Sequence, residues 1–161
     1  MFGEGYIPES EQKNKDLLIP GLGSESDRTA SVINYVRDAC YKNAKDHGFW
    51  FEEDRLLEVV QYHAGLNYPV PEREARIKLL FNNEKIALEM SELAERLETL
   101  RKDPNKMDEH CPEFLNVEIE VADLIIRALD FSGRRNLRIG EAIIAKMKYN
   151  AGREFMHGKK F

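Results

Sequence analysis

The feature that most constrains this chain is a pair of short acidic motifs, each set in apolar sequence. Glu89-Met90-Ser91-Glu92 and Glu120-Val121-Ala122-Asp123 each place two carboxylates three residues apart. On a helix this spacing puts both groups on one face, about one turn apart. Carboxylates held against an apolar core repel one another and lose hydration, so they need a cation or a proton. We interpret the two motifs as parts of one divalent-metal site, which indicates phosphate chemistry.

The spacing of the apolar residues predicts an all-α protein, a helical bundle of about five helices with the active site between them. The expected helices cover residues 26–48, 53–64, 72–101, 117–131 and 138–155, with a break or bend at 82–83. Ser26 is the expected cap of the first helix, and Ser132-Gly133 is the expected end of the fourth. Residues 1–25 contain many glycines and prolines and predict an irregular N-terminal arm, whereas residues 26–161 predict a single helical domain.

The composition limits the partners and the compartment. A net charge of −5 argues against a nucleic-acid polymer as partner, because proteins that bind phosphate backbones usually carry a basic face. No apolar stretch is long enough to cross a membrane, and the N-terminus lacks the features of a signal peptide. Cys40 and Cys111 form no recognisable disulfide framework. We therefore expect a cytoplasmic protein with no membrane partner.

The residue types in the two motifs favour one class of metal. Di-iron bundles need a Glu-x-x-His motif, and neither acidic motif here ends in His. Zinc prefers Cys or His ligands, which do not cluster in this chain. A set made only of carboxylates suits Mg²⁺, or Mn²⁺ as a second choice, completed by water and substrate phosphates. For any single one of these acids, a solvated surface position remains the ordinary alternative.

A polar row on the last predicted helix has the chemistry of a phosphate site. Lys146, Asn150 and Arg153 share one face at positions i, i+4 and i+7. Lysine and arginine can offset the charge of a triphosphate, and an asparagine amide can orient an oxygen atom. Taken alone, the row is also explained as a solvated stripe.

These residues together resemble a known family. The segment Lys85 to Glu95, the motif Glu120 to Asp123 and the segment Lys146 to Asn150, in that order, resemble the MazG-like all-α nucleoside triphosphate pyrophosphohydrolases. That superfamily carries an ExxE and an ExxD motif on neighbouring helices. The segments 43–50 and 151–160 are also similar to small members of the superfamily.

The resemblance implies a fold, a reaction and a set of site residues. It implies the MazG-like helical fold and Mg²⁺-dependent hydrolysis of ribo- or deoxyribonucleoside triphosphates to nucleoside monophosphate and pyrophosphate. The implied metal ligands and catalytic residues are Glu89, Glu92, Glu120 and Asp123. The implied substrate-binding residues are Asn43, Trp50, Lys85, Lys146, Asn150 and Arg153, with Trp50 and Asn43 near the base. It further implies a homodimer or homotetramer. A core aromatic is an equal alternative for Trp50.

Two departures from the family pattern keep a second function open. Leu88 stands where many relatives carry a further Glu, and the stretch 51–80 is longer than expected between the first helix and the ExxE helix. The rival hypothesis is a catalytically degenerate helical protein that binds a nucleotide or another protein. A helix-turn-helix regulator is disfavoured, because no short basic recognition helix follows a tight turn.

Overall fold

The computed structural model describes residues 24–63 and 70–153. Across these residues the chain forms five α-helices and no strand, which confirms the all-α prediction. They are α1 (Glu25–Asp46), α2 (Phe51–Tyr62), α3 (Val70–Lys102), α4 (Asn116–Arg134) and α5 (Ile139–Ala151). An isolated bridge between Met107 and Leu115 is found in the α3–α4 connection. The predicted arm lies almost wholly outside the described residues, as do the last residues of the predicted fifth helix.

The first helix begins slightly earlier than predicted, because Ser24 and not Ser26 caps it. The Ser24 hydroxyl accepts a hydrogen bond from the backbone N–H of Asp27 at 3.4 Å. The Asp27 carboxylate in turn accepts from the backbone N–H of Ser24 at 2.9 Å. This reciprocal pair is a capping box, which satisfies two of the amide groups at the start of α1.

The predicted end of the fourth helix at Ser132-Gly133 is wrong, since α4 continues to Arg134. A Cβ atom on Gly133 would lie 2.5 Å from the Cβ of Tyr41. The glycine therefore permits the close approach of α4 to α1 and does not stop the helix. The chain turns away after the helix at Asn136, whose φ of 51° is left-handed. The third helix likewise runs without interruption through residues 82–83, where a break or bend was expected.

The helices pack side by side in an antiparallel arrangement with α4 between α1 and α3. The Asn116 amide at the start of α4 bonds to Thr99 near the end of α3. At the opposite end, Arg135 bonds to Asn82, so the two helices run in opposite directions. The shorter α2 packs on α3.

The last helix, α5, packs antiparallel on α1 and runs toward the N-terminal end of α1. Leu137, just before α5, accepts a hydrogen bond from Arg37, and the backbone N–H of Gly140 donates to the Asn34 side chain at 2.9 Å. A Cβ on Gly140 would lie 2.1 Å from the carbonyl oxygen of Ala30. These contacts move toward the start of α1 as α5 proceeds, which fixes its direction.

The fold buries few apolar side chains and leaves an apolar stripe exposed on α3. Trp50 is fully buried, and Leu129 is the largest other buried apolar residue among those the structure describes. By contrast, five apolar residues from the C-terminal half of α3 are each between 45% and 67% exposed. We call them the α3 seam: Ile86, Met90, Leu93, Leu97 and Leu100. No helix in the described part of the chain has the length and hydropathy needed to span a membrane.

Candidate metal centre and adjoining cavity

Three of the four predicted metal ligands meet where α3 faces α4. Glu92 projects from α3, and Glu120 and Asp123 project from α4, which places one carboxylate oxygen of each within 4.8 Å of the others. Glu92 is only 6% exposed, so its side chain lies between the two helices. The antiparallel packing of α3 on α4 therefore brings the two sequence motifs together at one point.

The surroundings of this acidic group show how its charge is balanced. The Asn116 amide donates to Glu120 Oε1 at 2.9 Å. Burial raises the pKa of Glu120, and the neighbouring acids, including Glu92 and Asp123, raise it further, against the opposing effect of the Asn116 hydrogen bond. The Arg127 guanidinium donates to Glu92 and forms an ion pair with it. One protein cation thus offsets part of the negative charge that the three carboxylates concentrate.

The fourth predicted ligand, Glu89, does not join this group. It lies one helical turn before Glu92 on α3, half-buried, and no oxygen of Glu89 is among the three that converge. Burial raises the pKa of its carboxyl group. Glu89 is therefore near the acidic group along α3, but the group itself consists of Glu92 from α3 and two carboxylates from α4.

A cavity of about 210 Å³ adjoins the acidic group, between the C-terminal half of α1, α3 and α4. Two residues connect the cavity with the acidic group. Asp123 belongs to the group, Arg127 pairs with Glu92, and both line the cavity. The rest of the wall has apolar and polar parts. Phe49, Leu88 and Ile126 are apolar, and Asn43, Lys85 and Asp130 are polar. The expected substrate residues Asn43 and Lys85 are thus at the cavity. Leu88, the departure from the family pattern, is part of its apolar wall.

Trp50 organises one side of this cavity from within the core. Its indole is fully buried, so no ring face is open to a stacking base in this structure. The indole N–H donates to Asp130 Oδ1 at 2.6 Å. The Lys85 ammonium lies 4.5 Å from the ring centroid and donates to the carbonyl oxygen of Phe49 at 3.0 Å. Trp50 therefore positions the polar side chains of the cavity wall and does not line the cavity.

The predicted row on the last helix is not brought to the cavity. Lys146, Asn150 and Arg153 are exposed and lie toward the end of α5, which runs along α1 away from the cavity. The Lys146 ammonium and the Arg153 guanidinium lie 4.7 Å and 5.7 Å from the centroid of the Tyr149 ring. Within one chain, Lys146 and Arg153 therefore lie against the Tyr149 ring, and none of the three residues belongs to the acidic group.

Sequence reasoning missed the roles of Arg127 and Asp130 at this site. The signal was present, because Asp123, Arg127 and Asp130 follow one another at positions i, i+4 and i+7 of α4 and therefore share a face. Asp130 was hidden by its position near the C-terminal end of an apolar helix. Its contact with Trp50 joins residues 80 positions apart, which no local pattern reveals.

Compared with family models, with curated proteins and with solved structures, the chain matches none.

Proposed function

We propose that this chain is a MazG-like nucleoside triphosphate pyrophosphohydrolase that requires Mg²⁺. The observation that carries the proposal is the convergence of the Glu92, Glu120 and Asp123 carboxylates within 4.8 Å beside a cavity. The resemblance of the ExxE and ExxD segments to the superfamily supports it independently of the geometry. The substrates are ribo- or deoxyribonucleoside triphosphates, and the products are nucleoside monophosphate and pyrophosphate.

The donor set fits a hard divalent cation. All three converging ligands are carboxylates, and no His or Cys among the described residues joins them. Such a set suits Mg²⁺ or Mn²⁺, which prefer oxygen ligands and are completed by water and phosphate oxygens. Burial is the main cause that raises the pKa of Glu120, and the neighbouring acids add to it, so a bound cation would favour its charged form. Glu92, Glu120 and Asp123 are the residues that would hold the metal.

Different side chains of the site would serve different steps of the hydrolysis. When bound, Mg²⁺ supplies charge neutralisation for the phosphate oxygens and favours deprotonation of a water. The reaction breaks one phosphoanhydride bond, adds one water and releases one proton. Glu89 is a candidate proton acceptor outside the ligand set, because it lies one turn from Glu92 and burial raises its pKa. Arg127 lines the cavity and offers its guanidinium to an anionic group there.

We further propose that the α3 seam is covered by α3 of a second copy, in a homodimer or a larger homo-oligomer. Ile86, Met90, Leu93, Leu97 and Leu100 follow one another in alternating steps of four and three residues. This is the spacing of residues that interlock between two paired helices. Lys146 and Asn150 can contribute to phosphate binding only if such assembly brings α5 of another copy to the cavity.

The proposal is tested by Glu120→Gln and Asp123→Asn, assayed for pyrophosphate release in Mg²⁺ and in chelator. Because each variant removes one ligand charge with little change of shape, we expect turnover to fall by about a hundredfold or more. Glu98→Gln is the matched control, since Glu98 is exposed on α3 and pairs with Lys102 at 2.6 Å. Turnover that survives both site variants, or that persists in chelator, would overturn the assignment.

One observation favours a second candidate, a nucleotide-binding protein without turnover. Arg127 already neutralises Glu92, and an apolar Leu88 stands at the cavity. A protein of this kind would bind nucleotides with little dependence on Mg²⁺ and release no pyrophosphate, so the same assay combined with a binding measurement separates the two candidates.

A further inference from the structure

Asp130 is a buried carboxylate in the cavity wall with one oxygen held and the other left for a ligand. The residue is 8% exposed and lines the cavity. Trp50 donates to its Oδ1 atom at 2.6 Å, which fixes the plane of the carboxylate. In the described part of the chain no other group donates a hydrogen bond to it. The remaining oxygen is not among the fully buried, unpaired polar atoms of the described residues, so it is open to the cavity and can accept from a ligand that brings N–H groups.

The groups around Asp130 keep it an acceptor and leave room for a flat ring. Burial raises the pKa of Asp130, while the Trp50 hydrogen bond and the nearby charges of Lys85 and Arg127 oppose that rise. Neither cation is within ion-pair distance, so both favour the carboxylate without occupying its oxygen. Apolar side chains form the cavity wall beside it, which suits the faces of an aromatic ring: Phe49, Leu88 and Ile126.

The size of the cavity matches one ring system of a nucleotide. Its volume of about 210 Å³ is below the roughly 300–1,000 Å³ of pockets that enclose whole drug-sized ligands. The acidic group beside it, which includes Asp123, is where phosphates would lie in the proposed function. Asp130 lies seven residues, about two turns, further along α4, so the part of the cavity that it lines is where a base would lie.

We propose that Asp130 reads the edge of the base and selects guanine nucleotides. This inference rests on the proposed function for the triphosphate end of the site. Guanine presents two adjacent donors, the ring N1–H and the 2-amino group, whereas adenine and cytosine present one amino group beside an acceptor nitrogen. Uracil and thymine present one N–H between two oxygens. The Asn43 side chain, also at the cavity, supplies an amide donor for the 6-oxo group.

The first test compares ligands on the unaltered protein by calorimetry with GMP, IMP, AMP, CMP and UMP. IMP lacks only the 2-amino group of GMP, so it isolates one of the two donors. We expect GMP to bind about tenfold or more tightly than IMP, because IMP offers the carboxylate one hydrogen-bond donor where GMP offers two. Equal binding of GMP and IMP, or preference for a pyrimidine, would overturn the inference.

The second test is Asp130→Asn, with Asp38→Asn as the matched control. The Asn side chain can still accept from Trp50, so a purely structural role for Asp130 would be preserved. Its amino group would then face the ligand, which repels the donors of guanine and suits the 2-oxo group of xanthine. We expect GMP affinity to fall by about tenfold or more and XMP affinity to rise. Asp38 is exposed and pairs with Arg37, so its variant should change neither affinity.

The two proposals fail in different ways. If the unaltered protein releases pyrophosphate from triphosphates of every base equally, the base assignment is wrong and the proposed function stands. If GMP binds selectively but no triphosphate is cleaved, the base assignment stands and the proposed reaction is wrong. If no nucleotide binds to folded protein, both are wrong.

Discussion

Replacing Glu53 with glutamine should destabilise the protein far more than the same substitution at the neighbouring Glu52. Glu53 is fully buried on α2. Its Oε1 atom accepts from Arg135 Nη1 at 2.6 Å, and its Oε2 atom accepts from Arg134 Nε at 3.3 Å. Two guanidinium groups at the end of α4 thus share one buried carboxylate, which ties α2 and α4 together through the core.

The size of the stability loss depends on which hydrogen bonds Arg134 and Arg135 keep when Glu53 loses its charge. Arg134 retains Asp54 at 2.6 Å, but Arg135 retains only the neutral Asn82 amide oxygen at 2.6 Å. Its Nη2 atom already has no hydrogen-bond partner. Removing one partner of a buried ion pair costs about 3–5 kcal/mol. Because glutamine keeps one acceptor oxygen, we expect a loss of about 3 kcal/mol in the free energy of unfolding for Glu53→Gln.

The assay is urea unfolding followed by circular dichroism, at one fixed protein concentration because assembly affects apparent stability. With a slope of about 2 kcal/mol per molar urea, the expected loss lowers the midpoint by about 1.5 M. Glu52→Gln is the control, since Glu52 and Arg55 are each 60% exposed and their ion pair spans 3.3 Å. Exposed pairs contribute about 0–1 kcal/mol. A midpoint for Glu53→Gln equal to that of Glu52→Gln would refute the reasoning.

Three further predictions concern the metal site, the assembly and the response to acid. Arg127→Met should raise the affinity for Mn²⁺, measured by calorimetry without nucleotide, by about threefold to tenfold, because the guanidinium competes for Glu92. Leu93→Glu should lower the mass in light scattering to that of a single chain, because it places a charge in the α3 seam. The Asn34 amide is the main cause that lowers the pKa of Glu141 from 4.5 to about 2. Since the folded pKa is depressed, its stabilisation is present above pH 4.5 and is lost as the pH falls toward 2, so Glu141→Gln should flatten the fall in thermal stability over that range.

Each of these has a result that counts against it. Weaker Mn²⁺ binding by Arg127→Met would mean that the guanidinium supports the metal site and does not compete with the metal. An unchanged mass for folded Leu93→Glu would place the subunit contact elsewhere or remove it. Ser91→Glu is the matched control, since Ser91 is exposed and lies two residues away, on roughly the opposite side of the helix. An acid response of Glu141→Gln identical to that of the unaltered protein would assign the sensitivity to other carboxylates.

The helices were predictable from sequence because helical periodicity is a local property. Val32, Val36 and Ala44 follow one another at helical spacing, and the segment that contains them forms α1. The boundaries were less predictable, because a glycine can end a helix or permit a close contact. Gly133 does the second, and only the position of Tyr41 on another helix decides between the two.

Only part of the candidate site was predictable from the sequence. The ExxE and ExxD spacings indicate which acids share a face, and Glu92, Glu120 and Asp123 do converge. The position of Glu89 outside that group depends on the rotation of α3 against α4, which spacing within one helix cannot give. The placement of the polar row of α5 depends in the same way on the direction in which α5 packs.

The most direct test of the central claim is phosphorus NMR of a nucleoside triphosphate mixture incubated with the protein and Mg²⁺. We expect signals of pyrophosphate and nucleoside monophosphate to grow together in equal amounts, and to disappear when the metal is chelated. No change in the spectrum from folded protein, or the appearance of orthophosphate with nucleoside diphosphate, would contradict the account.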